Sequence, residues 1–188
     1  MLKPKSFDTV AASLSFEPLA LGGHVCVIKN AQETTSKTGK PMLKVALDIA
    51  APDPQAGYYL ERFKNDNRAL AEKRWPCISY VVTEDKDGNA SKGLARFVTS
   101  IESSNPGFQF PWDNVDLLRD KRVGGVFGQE EYKAQDGNIK KATKLMWFCA
   151  ADKAKDAKVP ELKEYKAATT SPSTMGGWAS ISASDIPF

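Results

Sequence analysis

The sequence has one histidine, His24, and three cysteines, Cys26, Cys77 and Cys149. It contains no Cys-x-x-C pair, so the ligand spacing of a structural zinc site is missing. The histidine falls in a predicted strand beside two glycines, without a sequence partner that would make it part of a nucleophilic site. We therefore expect no metal, no cofactor and no enzyme activity.

Membrane and export signals are missing as well. No apolar run is long enough to span a bilayer, and the start of the chain, Met1-Leu2-Lys3-Pro4-Lys5, is not a signal peptide. Three scattered cysteines suit a reducing compartment better than a disulfide framework. The formal net charge of +3 is a weak indication of an anionic partner. Together these features predict a cytoplasmic protein.

The most regular alternation of apolar and polar residues in the sequence predicts two strands joined by a basic loop. Apolar residues alternate with polar ones on both sides of residues 33–41, a stretch that contains Gly39 and Pro41. Lys37, Lys40 and Lys44 are predicted to put positive charge on the loop and on the exposed face beside it. A cationic hairpin of this kind is how small β-barrels hold a nucleic-acid strand. The alternative is an ordinary solvated hairpin.

Further elements follow along the chain. The pattern predicts a third strand at 56–64, a short helix within 65–74, an extra strand at 77–83, a helix from residue 93, a second short helix at 114–119 capped by Asp113, and strands at 121–132 and 139–149. Glycines within 121–132 indicate a bulge or a tight bend.

This order of elements predicts a mainly β fold. We expect an OB-fold-like, five-stranded Greek-key β-barrel with a helical insertion between strands 3 and 4. An α+β sandwich without barrel closure is the alternative. The predicted organisation is an N-terminal arm at 1–21 that docks through Phe7, Leu14 and Phe16, an OB-fold-like domain at 22–166, and a disordered tail at 167–188.

Aromatic and cationic residues alternate in two stretches, 58–75 and 132–147, which include Arg74 and Trp147. Bases stack on aromatic rings inside grooves of Lys and Arg, so these stretches predict single-stranded DNA binding. Tyr58 and Tyr59 would leave opposite faces of a strand, and one of them would stack on a base. The alternative is that the aromatics are core and the lysines solvate a face. The candidate nucleic-acid-binding residues are Lys37, Lys40, Lys44, Tyr58, Tyr59, Arg62, Lys64, Lys133, Lys140 and Lys144.

The end of the chain, Asp185-Ile186-Pro187-Phe188, resembles the C-terminal tip of bacterial single-stranded DNA-binding proteins. The resemblance implies docking on host replication, recombination and repair proteins. Phe188 carries an apolar ring and a carboxylate on one residue, which suits an apolar slot beside a basic pocket. This chain has one acid in the tip, Asp185, where the family usually has several.

The globular part resembles a group of phage and prophage proteins from replication or recombination cassettes. The matching stretches are Gly22–Cys26, Ser36–Met42, Trp75-Pro76, Glu102–Phe108 and Val123–Tyr132. The resemblance implies single-stranded DNA binding on an OB-type barrel. The alternatives are an OB-like adaptor that binds proteins and a structural phage protein without a nucleic-acid role. The sequence leaves homo-oligomerisation and the choice between DNA and RNA open.

Overall fold

A computed structural model describes residues 17–166 of the chain. Its five strands form one antiparallel sheet in the order β3-β2-β1-β4-β5. The strands are β1 (Gly22–Thr35), β2 (Pro41–Ile49), β3 (Ile78–Val82), β4 (Arg122–Lys133) and β5 (Ile139–Cys149). In the described part of the chain β3 and β5 are the two edges of the sheet. Because four antiparallel steps separate them, these edges run in the same direction.

The first hairpin is confirmed, but its loop is shorter than the predicted residues 33–41, because β1 continues to Thr35 and β2 begins at Pro41. β1 and β2 pair from Cys26 opposite Ile49 to Thr35 opposite Pro41, with a register shift between Ile28 and Asn30. In β1 the buried side chains are those of Cys26 and Ile28 and their polar neighbours on the same face, while Val25 and Val27 are only half-buried. In β2 every residue from Leu43 to Ile49 is buried, so both faces of this central strand are covered. Gly39 closes the loop at φ 80°, a left-handed conformation that glycine adopts without strain.

Residues 56–64 are not a strand, so that prediction is wrong. Tyr58–Lys64 forms helix α1, in which Tyr58, Tyr59 and Phe63 all face the interior. The two adjacent aromatics that disturbed the strand alternation fit one helix face, since neighbours on a helix are about 100° apart. Asp48 fixes the start of α1, because its Oδ1 accepts the backbone N–H of Tyr59 at 2.9 Å.

The strand expected as an extra element at 77–83 is instead the third strand of the sheet, β3. The helix predicted from residue 93 is confirmed as α2 (Lys92–Ser104), which lies between β3 and β4. Ser91 caps α2 by accepting the N–H of Leu94 at 3.0 Å. The short helices are 3₁₀ turns at Leu70–Glu72 and Val115–Leu118, and Asn114 rather than Asp113 caps the second.

The core lies between the sheet and the helices α1 and α2. Leu94, Phe97 and Ile101 form the predicted apolar stripe and are buried. Phe97 contacts Phe148 of β5 edge to face, with ring centroids 4.7 Å apart. This packing fixes α2 beside the β5 edge of the sheet.

The glycine-rich strand β4 carries the predicted irregularity, a register shift between Val126 and Phe127. Gly125 also allows close packing, because a Cβ there would lie 2.7 Å from Leu145 Cδ1 and 3.1 Å from Cys26 Sγ. β4 is therefore irregular at this point, and side chains pack directly against its backbone at Gly125.

His24 has a structural role. Its side chain is buried, with Nδ1 3.0 Å from Asp53 Oδ2 and Nε2 2.9 Å from the Ala20 carbonyl oxygen. Both ring nitrogens therefore lie within hydrogen-bonding distance of an oxygen atom. The interaction ties the chain preceding β1 to the loop before α1.

The arm residues Phe7, Leu14 and Phe16 and the whole 167–188 tail lie outside the described residues. Within residues 17–166, no helix is long and apolar enough to cross a membrane.

Candidate nucleic-acid interface

A cleft runs between the two edge strands of the sheet. One part, of about 560 Å³, is lined by the first half of β3 and by residues 142–145 of β5. A second part, of about 450 Å³, is lined by the second half of β3, the start of α2 and residues 145–148. Both parts share Ser79, Tyr80 and Leu145. We call this continuous depression between β3 and β5 the edge cleft.

Cations line both ends of the edge cleft. Arg74 and Lys144 line the first part, and Lys92 and Arg96 line the second. No Asp or Glu of the described residues is among the lining residues of either part. Arg74, Lys92 and Arg96 are exposed, and within residues 17–166 none of the three forms an ion pair. The cleft is therefore suited to a polyanion.

Local structure explains the positions of these cations. Arg74 precedes Trp75, which is anchored in the core by a 2.7 Å hydrogen bond from its Nε1 to the Leu47 carbonyl oxygen. Lys92 and Arg96 are four residues apart in the first turns of α2, so they share a helix face away from the apolar stripe. The anchored Trp75 thus fixes the backbone beside Arg74, and helix α2 holds Lys92 and Arg96.

Two aromatic side chains in the edge cleft have accessible surface. Trp147 on β5 is 37% exposed, and Tyr80 on β3 is partly exposed. Burial raises the pKa of the Tyr80 hydroxyl above its ordinary value, so this side chain is uncharged at neutral pH and does not repel phosphate. Trp147 offers a ring on which a base could stack.

The candidate residues of the first hairpin do not line the edge cleft. Lys37 and Lys40 are exposed on the β1–β2 loop. Lys44, predicted to lie on an exposed face, is only 5% exposed, so that expectation is wrong. Its cross-strand neighbours are Gln32 and Tyr80, whose side chains leave the same face of the sheet on either side of it. Lys44 therefore offers little surface to a phosphate.

The prediction that Tyr58 or Tyr59 leaves an exposed strand face and stacks on a base is wrong, because the predicted third strand is a helix. Tyr58 and Tyr59 are 8% and 4% exposed, and both belong to the core. The Tyr58 hydroxyl accepts the backbone N–H of Leu19 at 3.0 Å, while Tyr59 reaches the floor of the edge cleft. Arg62 and Lys64, on the same helix, are exposed and do not line the cleft. Neither tyrosine presents an open ring face.

The three candidate lysines of the last hairpin differ in whether they line the edge cleft. Lys133 is exposed near the turn, and Lys140 forms a 2.7 Å ion pair with Asp136 that lowers the pKa of the Asp136 carboxyl. Lys144 lines the edge cleft and forms a 2.8 Å ion pair with Glu130. Of the ten candidates, Tyr59 and Lys144 thus line the cleft.

A second depression lies near the base of the β1–β2 loop. It has a volume of about 730 Å³ and contains Trp112, which is 64% exposed and packs against Phe110 with ring centroids 4.6 Å apart. Glu33 and Glu84 line it, and no Lys or Arg of the described residues does. We call it the Trp112 groove. Its carboxylates make it a poor site for a nucleic-acid backbone.

Sequence patterns had partly indicated the edge cleft. Arg74 and Trp147 belong to the two predicted stretches of mixed aromatics and cations, whereas Tyr80, Lys92 and Arg96 lie outside them. The four-residue spacing of Lys92 and Arg96, at the start of the helix predicted from residue 93, is the sequence signal for that end. The tip residues Asp185, Ile186, Pro187 and Phe188 lie outside the described residues.

Comparisons with protein-family models and with curated proteins find no match to this sequence. The resemblance to phage and prophage single-stranded DNA-binding proteins therefore stays a prediction from short motifs. Within residues 17–166, no group of three or more His, Cys, Asp or Glu side chains could hold a metal ion.

Proposed function

We propose that this protein binds single-stranded DNA in the edge cleft without sequence preference. The observation that carries the proposal is the charge of the cleft, which has four cations and no carboxylate among its described lining residues. Arg and Lys at both ends would hold successive phosphates, and Trp147 would stack on a base. Bases and phosphates of one unpaired strand are the groups that such a groove can contact together.

The strand order supports an OB-like barrel around this cleft. Through the strand pairing, Leu145 of β5 is aligned with Gly22 of β1, and Ser79 of β3 is aligned with Ala31 of β1. Gly22 and Ala31 are nine residues apart. Leu145 and Ser79 nevertheless line the same cleft. A large stagger between facing edges is what closure of a small barrel requires. The proposed DNA strand would then lie along an incompletely closed seam.

The biological role would follow the resemblance described above. The protein would coat single-stranded DNA during phage or prophage replication or recombination and recruit host enzymes through Asp185–Phe188. The Trp112 groove favours a second function, that of an adaptor, because an apolar groove with carboxylates suits a protein segment better than a phosphate backbone.

Fluorescence anisotropy with labelled oligo-dT at several salt concentrations tests the proposed function. We expect a dissociation constant in the micromolar range or lower at low salt, and weaker binding as salt rises because counterion release is lost. A duplex of the same length is the control and should bind more weakly. No binding of oligo-dT at low salt, or preference for the duplex, would contradict the proposal.

A further inference from the structure

Glu130 interacts with two lysines that come from different parts of the fold. Its Oε2 accepts a hydrogen bond from Lys144 Nζ at 2.8 Å, and its Oε1 accepts one from Lys163 Nζ at 2.6 Å. Lys144 lines the edge cleft, whereas Lys163 belongs to the segment that follows β5. One carboxylate is thus shared by two ammonium groups, and the group of three has one net positive charge.

Backbone hydrogen bonds hold Lys163 in this position. Its N–H donates to the Gln129 carbonyl oxygen at 3.0 Å, and its carbonyl oxygen accepts the N–H of Glu131 at 2.9 Å. These bonds use the edge of β4 beyond Phe127, where its described pairing with β1 ends. The segment therefore adds to β4 as a short parallel bridge between Glu130 and Lys163. A chance approach of a flexible side chain would lack this backbone support.

We infer that Lys163 is a positioning residue, which shares the charge of Glu130 and so lets the Lys144 ammonium interact with a phosphate in the edge cleft. The inference rests on the proposed function, since it concerns regulation of the same site. Without Lys163, the whole charge of Glu130 acts on Lys144 and holds its ammonium at the carboxylate. Without Glu130, Lys144 turns to the ligand whether or not Lys163 is present.

The electrostatics of the group agree with this. Both lysines hold the pKa of the Glu130 carboxyl below its ordinary value, so Glu130 is ionised at neutral pH. The side chain of Lys163 is 68% exposed and that of Lys144 is 39% exposed. Solvent screening keeps interactions between such groups modest, so we expect changes in affinity of about two- to fivefold.

Oligo-dT affinities of four full-length proteins, the wild type, Lys163→Ala, Glu130→Gln and the double variant, test the inference. We expect Lys163→Ala to weaken binding about two- to fivefold and Glu130→Gln to strengthen it by a similar factor. In the Glu130→Gln background, Lys163→Ala should have no effect. Lys158→Ala, which removes an exposed lysine of the same segment, is the control and should change affinity less than twofold.

The opposite results are equally clear. If Lys163→Ala weakens binding by the same factor with and without Glu130, then Lys163 contacts DNA itself and the inference is wrong. If neither single variant changes affinity, the shared carboxylate does not influence the cleft, and the inference is also wrong. Failure of the wild type to bind oligo-dT would instead contradict the proposed function. Thermal melting of each variant checks that the fold is intact.

Discussion

The edge cleft and the Trp112 groove are both several hundred cubic ångströms in volume, and each contains an accessible tryptophan. They differ in charge, because Arg and Lys line the edge cleft while Glu33 and Glu84 line the groove. The formal net charge of +3 describes neither surface. What distinguishes an anion site here is which charges the fold brings together, and the total charge says little about it.

The largest effect should come from reversing charge at both ends of the edge cleft. Arg74→Glu combined with Arg96→Glu removes two phosphate contacts and adds repulsion, so we expect oligo-dT affinity to fall about 100-fold or more at low salt. The matched variant Glu33→Lys with Glu84→Lys makes two reversals in the Trp112 groove and should change affinity less than about threefold. Anisotropy titrations measure both. Equal losses from the two double variants would mean that the cleft is not the binding site.

A smaller effect should separate the two tryptophans. Trp147→Ala removes the ring in the edge cleft, and base stacking is worth about 1–3 kcal/mol, so affinity should fall about tenfold. Trp112→Ala removes the more exposed ring and should leave oligo-dT binding unchanged. Quenching by oligo-dT of the tryptophan fluorescence that remains in each variant reports the same difference. Oligo-dT should quench the fluorescence of the Trp112→Ala variant more than that of the Trp147→Ala variant. A loss of binding with Trp112→Ala alone would transfer the site to the groove.

The smallest effect should come from the β1–β2 loop. Lys37→Glu with Lys40→Glu changes the field around the molecule without touching the edge cleft, so we expect affinity to fall about three- to fivefold. The difference should disappear at high salt, where distant charges are screened. The melting temperature should stay nearly the same, because exposed loop lysines contribute little to stability. A loss comparable with that of the Arg74 and Arg96 variant would make the loop part of the site.

Strong periodicity made much of the fold predictable. The first hairpin, α2 and the last two strands lie close to the predicted residues, because each is a run of apolar residues bounded by turn residues. The prediction of a strand at residues 56–64 is wrong because a short run with adjacent tyrosines fits either a helix or a strand. Tertiary contacts, such as the hydrogen bond from the Tyr59 N–H to Asp48, decide between the two. Local sequence contains no information about such a partner.

The site was less predictable than the fold, for a physical reason. The residues of the edge cleft come from the segment before β3, from the start of α2 and from β5, and only the sheet topology brings them together. Lys44 shows the converse, since its charge indicated an exposed cation but its side chain lies between those of its cross-strand neighbours and is buried. Composition indicated an anionic ligand, but which cations share a surface depends on strand order.

Ultraviolet crosslinking of the full-length protein to oligo-dT, followed by mass spectrometry of the crosslinked peptides, tests the central claim most directly. If a single strand lies between β3 and β5, crosslinks should concentrate in residues 78–82 and 142–148, with Tyr80 and Trp147 as the main sites. The same experiment on the Arg74→Glu and Arg96→Glu variant should lose them. Crosslinks confined to residues 33–42 and 110–115, around the Trp112 groove, would contradict the account.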